Sequence, residues 1–276
     1  MIKSDAINAR QEKVFSKINV NGFGLEIGAS FNPLAPKSSG FNCEVLDHAS
    51  ADELKEKYKR HGVNVNLIEE VDYIWNGEEL SELIGKKNCY DYIIASHVIE
   101  HTPDLISFIK QCEILLKQDG ILSLVIPDKR YCFDYFRPLS TTGDVLQAHV
   151  EKRTRHTLGT IFDHFSLAAQ KGDSLSWDKN DTYEFKLRHQ FDEAVKIFEE
   201  SKTNSNYIDV HNWKFIPESF NLVISDISHM KLTNFIIVNE FDTCGYEFYV
   251  SLAKKTDISI NNSVSRLDKL CNIKSI

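Results

Sequence analysis

The chain has 276 residues and a formal net charge of −8, enough for one sizeable α/β domain with an insertion or for two small domains. The acidic balance disfavours broad binding to nucleic acid, which needs neutralised phosphates; "HVEKRTRH" (149–156) is the one dense basic stretch. No apolar run approaches the roughly 18 residues of a membrane-spanning helix, and "MIKSDAINARQEKVF" lacks the apolar core of a signal peptide, so a cytoplasmic location is expected.

In chain order, residues 5–18 predict a helix, with Ile7, Val14, Phe15 and Ile18 at near-helical spacing. "FGLEI" (23–27) predicts the first strand and "CEVLD" (43–47) the second. "DELKEKYKRHG" (52–62) predicts a charged helix closed by Gly62. "VNLIEEVD" (65–72) predicts the third strand, "GEELSELIGKK" (77–87) a short helix, and "YDYIIASHVI" (90–99) begins as a buried fourth strand. "PDLISFIKQCEILLKQDG" (103–120) has the clearest helical pattern: Leu105, Phe108, Ile109, Cys112, Leu115 and Leu116 share one face, Pro103 suits the first turn and Gly120 the stop. "ILSLVIP" (121–127) predicts the fifth strand.

Residues 128–206 break this rhythm; they are polar, His-rich and too long for bare loop. A helical insertion over the carboxyl edge of the sheet is expected there, as an acceptor-binding cap. "IPESFNLVISDISHM" (216–230) predicts a helix with Pro217 near its start. "KLTNFIIVNEF" (231–241) and "GYEFYVSLAKK" (245–255) predict two strands at hairpin spacing. Alternating strands and helices argue for a doubly wound, mostly parallel sheet. The expected organisation is a single α/β domain over 1–255, with 128–206 inserted and 256–276 as a tail whose Val264, Leu267 and Leu270 make a weak amphipathic patch.

Six cysteines are present, none in a C-x-x-C pair, so zinc-ligand spacing is missing and reduced, core-filling thiols are expected. Histidine and aspartate clusters can bind metal, but no ligand-spacing motif marks one, and no metal is expected.

The turn after the first strand, "GFGLEIGASFNP" (22–33), carries chemistry. Ligands of open α/β sheets bind beyond the carboxyl ends of the strands, and Gly28 lets the backbone approach one there. A dinucleotide fingerprint needs G-x-G-x-x-G after the strand. Here Gly22, Gly24 and Gly28 have the wrong spacing, and two of them precede or open the strand. Glu26, two residues before Gly28, would repel a pyrophosphate and suits a cationic ligand. Asp47, ending the second strand, suits ribose hydroxyls. A nucleoside carrying positive charge meets both requirements, and S-adenosyl-L-methionine is such a molecule.

These stretches resemble a class I S-adenosylmethionine-dependent methyltransferase. "LEIGASFN" is similar to the family's first motif, "VLDH" carries the ribose-binding acid with His48 beside it, and "YDYIIASHVIEHTPD" is similar to the fourth-strand motif. "LLKQDGILSLVIP" and "FIIVNEF…GYEFYVSLAKK" resemble the later strands, the last of them reversed. The first motif departs from the usual glycine series, with Gly28, Ser30 and Asn32 in its place and Pro33 following. "SFNPLAPK", "PDKRYCFDYFRP" and "DVHNWKFIPESF" resemble methyltransferases found with glycosyltransferases in bacterial surface-polysaccharide assembly.

The resemblance implies a Rossmann-like, seven-stranded sheet with an antiparallel last strand. It implies S-adenosyl-L-methionine as cofactor and S-adenosyl-L-homocysteine as product. The implied cofactor residues are Glu26, Gly28, Ala29, Ser30, Asp47, His48, Val71, Asp72, Tyr73, Ser96 and His97; Asp72 reads equally as a solvated loop acid. Glu100 and His101 read as capping or orienting the helix that begins at Pro103. The expected acceptor is a small molecule or glycan precursor, methylated on a sugar hydroxyl or, alternatively, on an amino-sugar nitrogen. A catalytically weak binding module is the other class. A homodimer or a glycosyltransferase is the expected protein partner. A hydroxyl acceptor needs a base, for which His149, His164, His211 and Asp128 are the candidates. Arg130, Arg137, Lys152, Arg153 and Arg155 read either as an anion-binding set or as a solvated face.

Overall fold

The computed structural model describes residues 8–204, 206–255 and 264–274. Helix α1 (Ala9–Phe15) is shorter than the periodicity predicts. Asn8 caps it, accepting hydrogen bonds from the amides of Arg10 and Gln11; Ile7 lies outside the described residues, and Ile18 is buried on the turn that follows. Strands β1 (Gly24–Ile27) and β2 (Cys43–Asp47), helix α2 (Ala51–Tyr58), strand β3 (Tyr73–Ile74), helix α3 (Leu80–Ile84), strand β4 (Tyr90–Ser96), helix α4 (Leu105–Leu115) and strand β5 (Leu116–Pro127) follow. After β5 come helices α5 (Thr142–Val150) and α6 (Leu158–Leu167), a hairpin of β6 (Ala169–Lys171) and β7 (Phe185–Leu187), and helix α7 (Phe191–Ser201). Helix α8 (Pro217–His229), strands β8 (Phe235–Cys244) and β9 (Glu247–Lys254) and helix α9 (Arg266–Lys274) complete the order.

Seven strands form one sheet in the order β3-β2-β1-β4-β5-β9-β8. β1, β2, β3, β4 and β5 pair in parallel, and β9 runs antiparallel between β5 and β8. This is the doubly wound α/β sheet with a reversed last strand that the sequence predicts. Alternate strand residues face opposite layers. Leu25, Ile27, Ile93, Ala95, Leu122, Leu124, Phe248 and Val250 point into a core closed by α4 and α8. Tyr92, Ile94, Val125 and Tyr249 point to the other face, under Val14 and Phe15 of α1 and under Leu34 and Phe41.

Three local expectations are corrected. The predicted third strand over 65–72 is a 3-10 turn at Val65–Leu67, and pairing with β2 begins at Tyr73. Two long-range contacts explain the shift. The Glu69 carboxylate accepts the Lys37 and Ser38 amides, and Asp72 accepts the Val45 amide and Lys37 Nζ. Helix α4 ends at Leu115 rather than Gly120, because Leu116 turns extended and pairs with Tyr90. Register resumes at Tyr92–Ile121, so 117–120 form a bulge. The insertion after β5 carries the predicted helical segments, α5, α6 and α7, and also the unpredicted β6–β7 hairpin.

Gly24 shows how tightly the central strands pack. A Cβ there would lie 2.0 Å from Tyr92 Cε2. Gly24→Ala is expected to cost about 2–3 kcal/mol through overpacking. Urea unfolding checks this, and Tyr92→Leu in the same chain should recover part of the loss by removing the obstructing ring.

Candidate functional site

The carboxyl ends of β1 and β2 make one side of the site. Gly28 adopts φ +71 and would carry a Cβ 2.8 Å from Val98 Cγ2, so the turn after β1 is pressed against the turn after β4. Ser30 also sits at positive φ, +44, which a side chain rarely adopts. Its amide donates to Asp47 Oδ2 at 3.0 Å, while its hydroxyl is buried without a hydrogen-bond partner. Asp47 Oδ1 takes the His48 amide and Nδ1, so Asp47, Ser30 and His48 are drawn together.

Glu26, predicted as a cofactor residue, is 2% exposed and lies on the opposite face of β1 from Leu25 and Ile27. Its oxygens accept the amides of Leu34 (2.7 Å) and Ala35 (2.8 Å), so it anchors the exit of the turn. Burial pushes it up to about 7, against the pull of these two donors. Val71, Asp72 and Tyr73, predicted as cofactor residues at the end of the third strand, lie before or within β3, and Trp75 and Asn76 are the residues past its carboxyl end.

The turn after β4 makes the other side. His97, at φ +55, follows Ser96, whose hydroxyl accepts from Arg10 Nη2 at 2.8 Å. Arg10 also pairs with Glu247, which holds His97 Nε2 at 2.9 Å. Burial alone would lower His97; Glu100 and Glu247 outweigh it and raise the imidazole to about 9. A cavity of about 180 Å³ opens here, lined among others by His97, Glu100, His101, Phe133, His211 and Tyr246.

Glu100 and His101 therefore belong to this cavity and not to the start of α4, which Asp104 caps through the Ser107 amide. Glu100 is fully buried, and neither of its carboxylate oxygens has a hydrogen-bond partner. Burial opposes its ionisation, but the surrounding His97, His101 and His211 bring its pKa below the usual value. His101 Nδ1 bonds Asp209 at 2.7 Å and His211 Nδ1 bonds Asp134 at 2.5 Å. The donor atoms of Glu100, His101 and His211 lie within 4.8 Å of one another. The signal was present in the sequence as His97-x-x-Glu100-His101 directly after a strand; its third partner, His211, comes from far along the chain.

Of the four predicted bases, His211 lines the cavity and the other three are placed elsewhere. Asp128 is fully buried, with both oxygens engaged by Arg130 and one also by Thr243. His149 is on α5 and bonds the helix-capping Asp104 at 2.9 Å. His164 stands behind His211, accepting that residue's amide at 3.3 Å, and burial holds it near 3, neutral. The predicted anion-binding arginines are also partnered: Arg130 by Asp128, buried Arg137 by Asp134 and Arg153 by Glu151. A second cavity of about 290 Å³, lined by Arg155, His156 and Ile161 among others, shares no residue with the first.

Two measurements follow from these environments. Glu26→Ala removes the acceptor of two backbone donors, and a loss of about 2–4 kcal/mol is expected in urea unfolding; Glu26→Gln, which keeps one acceptor oxygen, should lose less. His156 is buried beside Tyr207, and burial lowers it from 6.5 to about 4. Its contribution to stability is complete above pH 6.5 and is lost as pH falls toward 4, since the unfolded chain takes up the proton first. Between pH 7 and pH 5 the native chain should lose about 1–2 kcal/mol that His156→Gln does not lose.

A family model for a methyltransferase domain matches residues 7–171, more than half of the chain. No curated protein matches it. Among solved structures, a Rhodobacter sphaeroides protein assigned as a Zn-dependent alcohol dehydrogenase is similar at 13% identity and a TM-score of 0.49, over 90% of this chain and 91% of that one. The 1,6-didemethyltoxoflavin-N1-methyltransferase of Burkholderia thailandensis, solved with 1,6-didemethyltoxoflavin and S-adenosylhomocysteine, is similar at 12% identity and 0.45, over 91% and 79%. The CcbJ methyltransferase of Streptomyces caelestis is similar at 13% and 0.41, over 92% and 99%. At these scores the structural likenesses carry no argument about activity; the family match does, and the chain belongs to the methyltransferase-domain family.

Proposed function

We infer that the chain transfers a methyl group from S-adenosyl-L-methionine to a hydroxyl of a small, sugar-containing acceptor. One observation carries the reading: a tight glycine turn beside Asp47 and a cavity of histidines and carboxylates lie along one carboxyl edge of the sheet. The turn fits the cofactor. Gly28 offers backbone without a Cβ, Ser30 Oγ is a buried polar atom without a partner, and Asp47 is a buried carboxylate suited to ribose hydroxyls. When bound, the cofactor supplies a methyl group already activated on a sulfonium.

The chain's own residues do the rest. Gly28, Ala29 and Ser30 hold the cofactor by backbone approach, with Asp47 and His48 on the ribose side. Trp75 and Asn76, just past the end of β3, take the adenine side in place of Val71, Asp72 and Tyr73. Ser96 and His97 bound the side nearest the acceptor. Methyl transfer is an in-line displacement, so the acceptor must be held in line and its hydroxyl proton removed. Activation of the hydroxyl falls to the group around Glu100, His101 and His211. The 128–206 segment acts as the cap on the acceptor, contributing Phe133, Leu175 and Ser176 to the cavity. Ring faces at Phe133 and Tyr246 suit the apolar face of a sugar. The glycan setting and a glycosyltransferase partner rest on the sequence resemblance, and a cytoplasmic location on the sequence pattern of the first residues.

Isothermal titration with S-adenosyl-L-methionine should give one site per chain. Asp47→Ala is expected to weaken binding about ten-fold or more, on the order of 1.4 kcal/mol. Absence of binding at millimolar cofactor would overturn the reading.

A further inference from the structure

We propose that Glu100, His101 and His211 form a site for a divalent first-row cation such as Zn²⁺ or Mn²⁺. A carboxylate and two imidazoles are a common donor set for these ions. Their donor atoms lie within 4.8 Å of one another. Bonds of about 2.1 Å in a tetrahedral site place donors ~3.4 Å apart, so the three side chains need to close by up to about 1.4 Å.

Two observations separate this cluster from an ordinary ion-pair network. First, Glu100 is fully buried, yet among the described residues neither of its oxygens receives a hydrogen bond. The nearest side-chain nitrogens are His97 Nδ1 at 3.5 Å and His101 Nε2 at 4.0 Å. A buried carboxylate in that state is costly unless something compensates its charge. Second, each histidine of the cluster is backed by a carboxylate on Nδ1, His101 by Asp209 and His211 by Asp134. An ionised carboxylate only accepts, so Nδ1 carries the proton and the Nε2 lone pair is left for a ligand bond. This is the arrangement that orients metal-binding histidines.

The role of the ion rests on the methyl-transfer reading; its presence does not. The cluster lines the cavity assigned to the acceptor. A cation there would bind the acceptor's hydroxyl oxygen, the O–H proton leaving to solvent as the metal–oxygen bond forms. A polyol acceptor with adjacent hydroxyls would fill two coordination positions at once.

The test uses the full chain, free of any histidine tag and stripped by chelator. Titration with Zn²⁺, Mn²⁺ and Co²⁺ should reveal one site per chain for at least one of them, with a rise in Tm and, for Co²⁺, a visible absorption band. Glu100→Gln and His211→Gln should each weaken that binding at least ten-fold, and His149→Gln should leave it unchanged. Exposed Asp209 offers a variant that does not threaten folding: Asp209→Asn should weaken binding about ten-fold. Wild-type affinity in Asp209→Asn together with either cluster variant, or no stoichiometric binding of any of the three ions, would overturn the site. Cofactor titration in chelator is read separately. Metal binding without cofactor binding removes the methyl-transfer reading and leaves the site, and the reverse result removes the site alone.

Discussion

The site depends on a clamp between two segments more than a hundred residues apart. The carbonyl of Glu100 accepts the amides of Asn212 (2.6 Å) and Trp213 (3.2 Å). The Asn212 side chain donates to the carbonyls of Thr102 and Pro103, and the Trp213 indole donates to Thr102 Oγ1. Buried Asn212 and Trp213 therefore satisfy, and are satisfied by, the turn that follows β4. The clamp also brings the His211 ring to 4.7 Å from that of His101, edge to face. Without it, the residues after β4 would face a loop with no fixed position.

Electrostatics then grade the site from the sheet outward. Arg10 reaches from α1 to Glu247 and Ser96, so the first helix is tied to the ends of two central strands. Burial would raise Glu247, but His97 and Arg10 hold it near 2, ionised. His97 stands between this pair and Glu100. Further out, Asp134 is shared between His211 and buried Arg137, which fixes the beginning of the inserted segment against the 207–213 strand of chain. The insertion is thus attached through charge at the point where it meets the cavity, while its aromatic residues pack mostly among themselves, as in the stacking of Tyr135 on Phe185 at 4.4 Å.

Elements whose cause is local were legible in the sequence. Short apolar runs at 23–27, 43–47 and 121–127 and the apolar face within 103–120 predicted strands and a helix, because each pattern reports the layer beside it. Elements whose cause is distant were not. Nothing in "VNLIEEVD" says that Glu69 will receive amides from 37 and 38, and that contact is what ends the strand reading. Some errors had local remedies. Asp104 with Ser107 three residues on is a stronger helix cap than Glu100 or His101, which left those two available for chemistry. Arg130, two residues past Asp128, marked that aspartate as an ion-pair partner. His211 could be suspected as a base but not paired with His101, since the clamp that joins them has no signature in either segment alone.

The same distinction explains the unusual first turn. A glycine series would let this loop hold positive φ without help. Here Ser30 adopts φ +44, and the strain is supported from two sides. Asp47 accepts the Ser30 amide, and Glu26 fastens the chain again at 34 and 35, just past Pro33. Gly28 remains glycine where Val98 leaves no room for a Cβ. The acid inside the first strand is therefore the structural substitute for flexibility. It permits serine and asparagine where glycine is expected, and Asp47 shapes the turn beside it through the Ser30 and His48 amides.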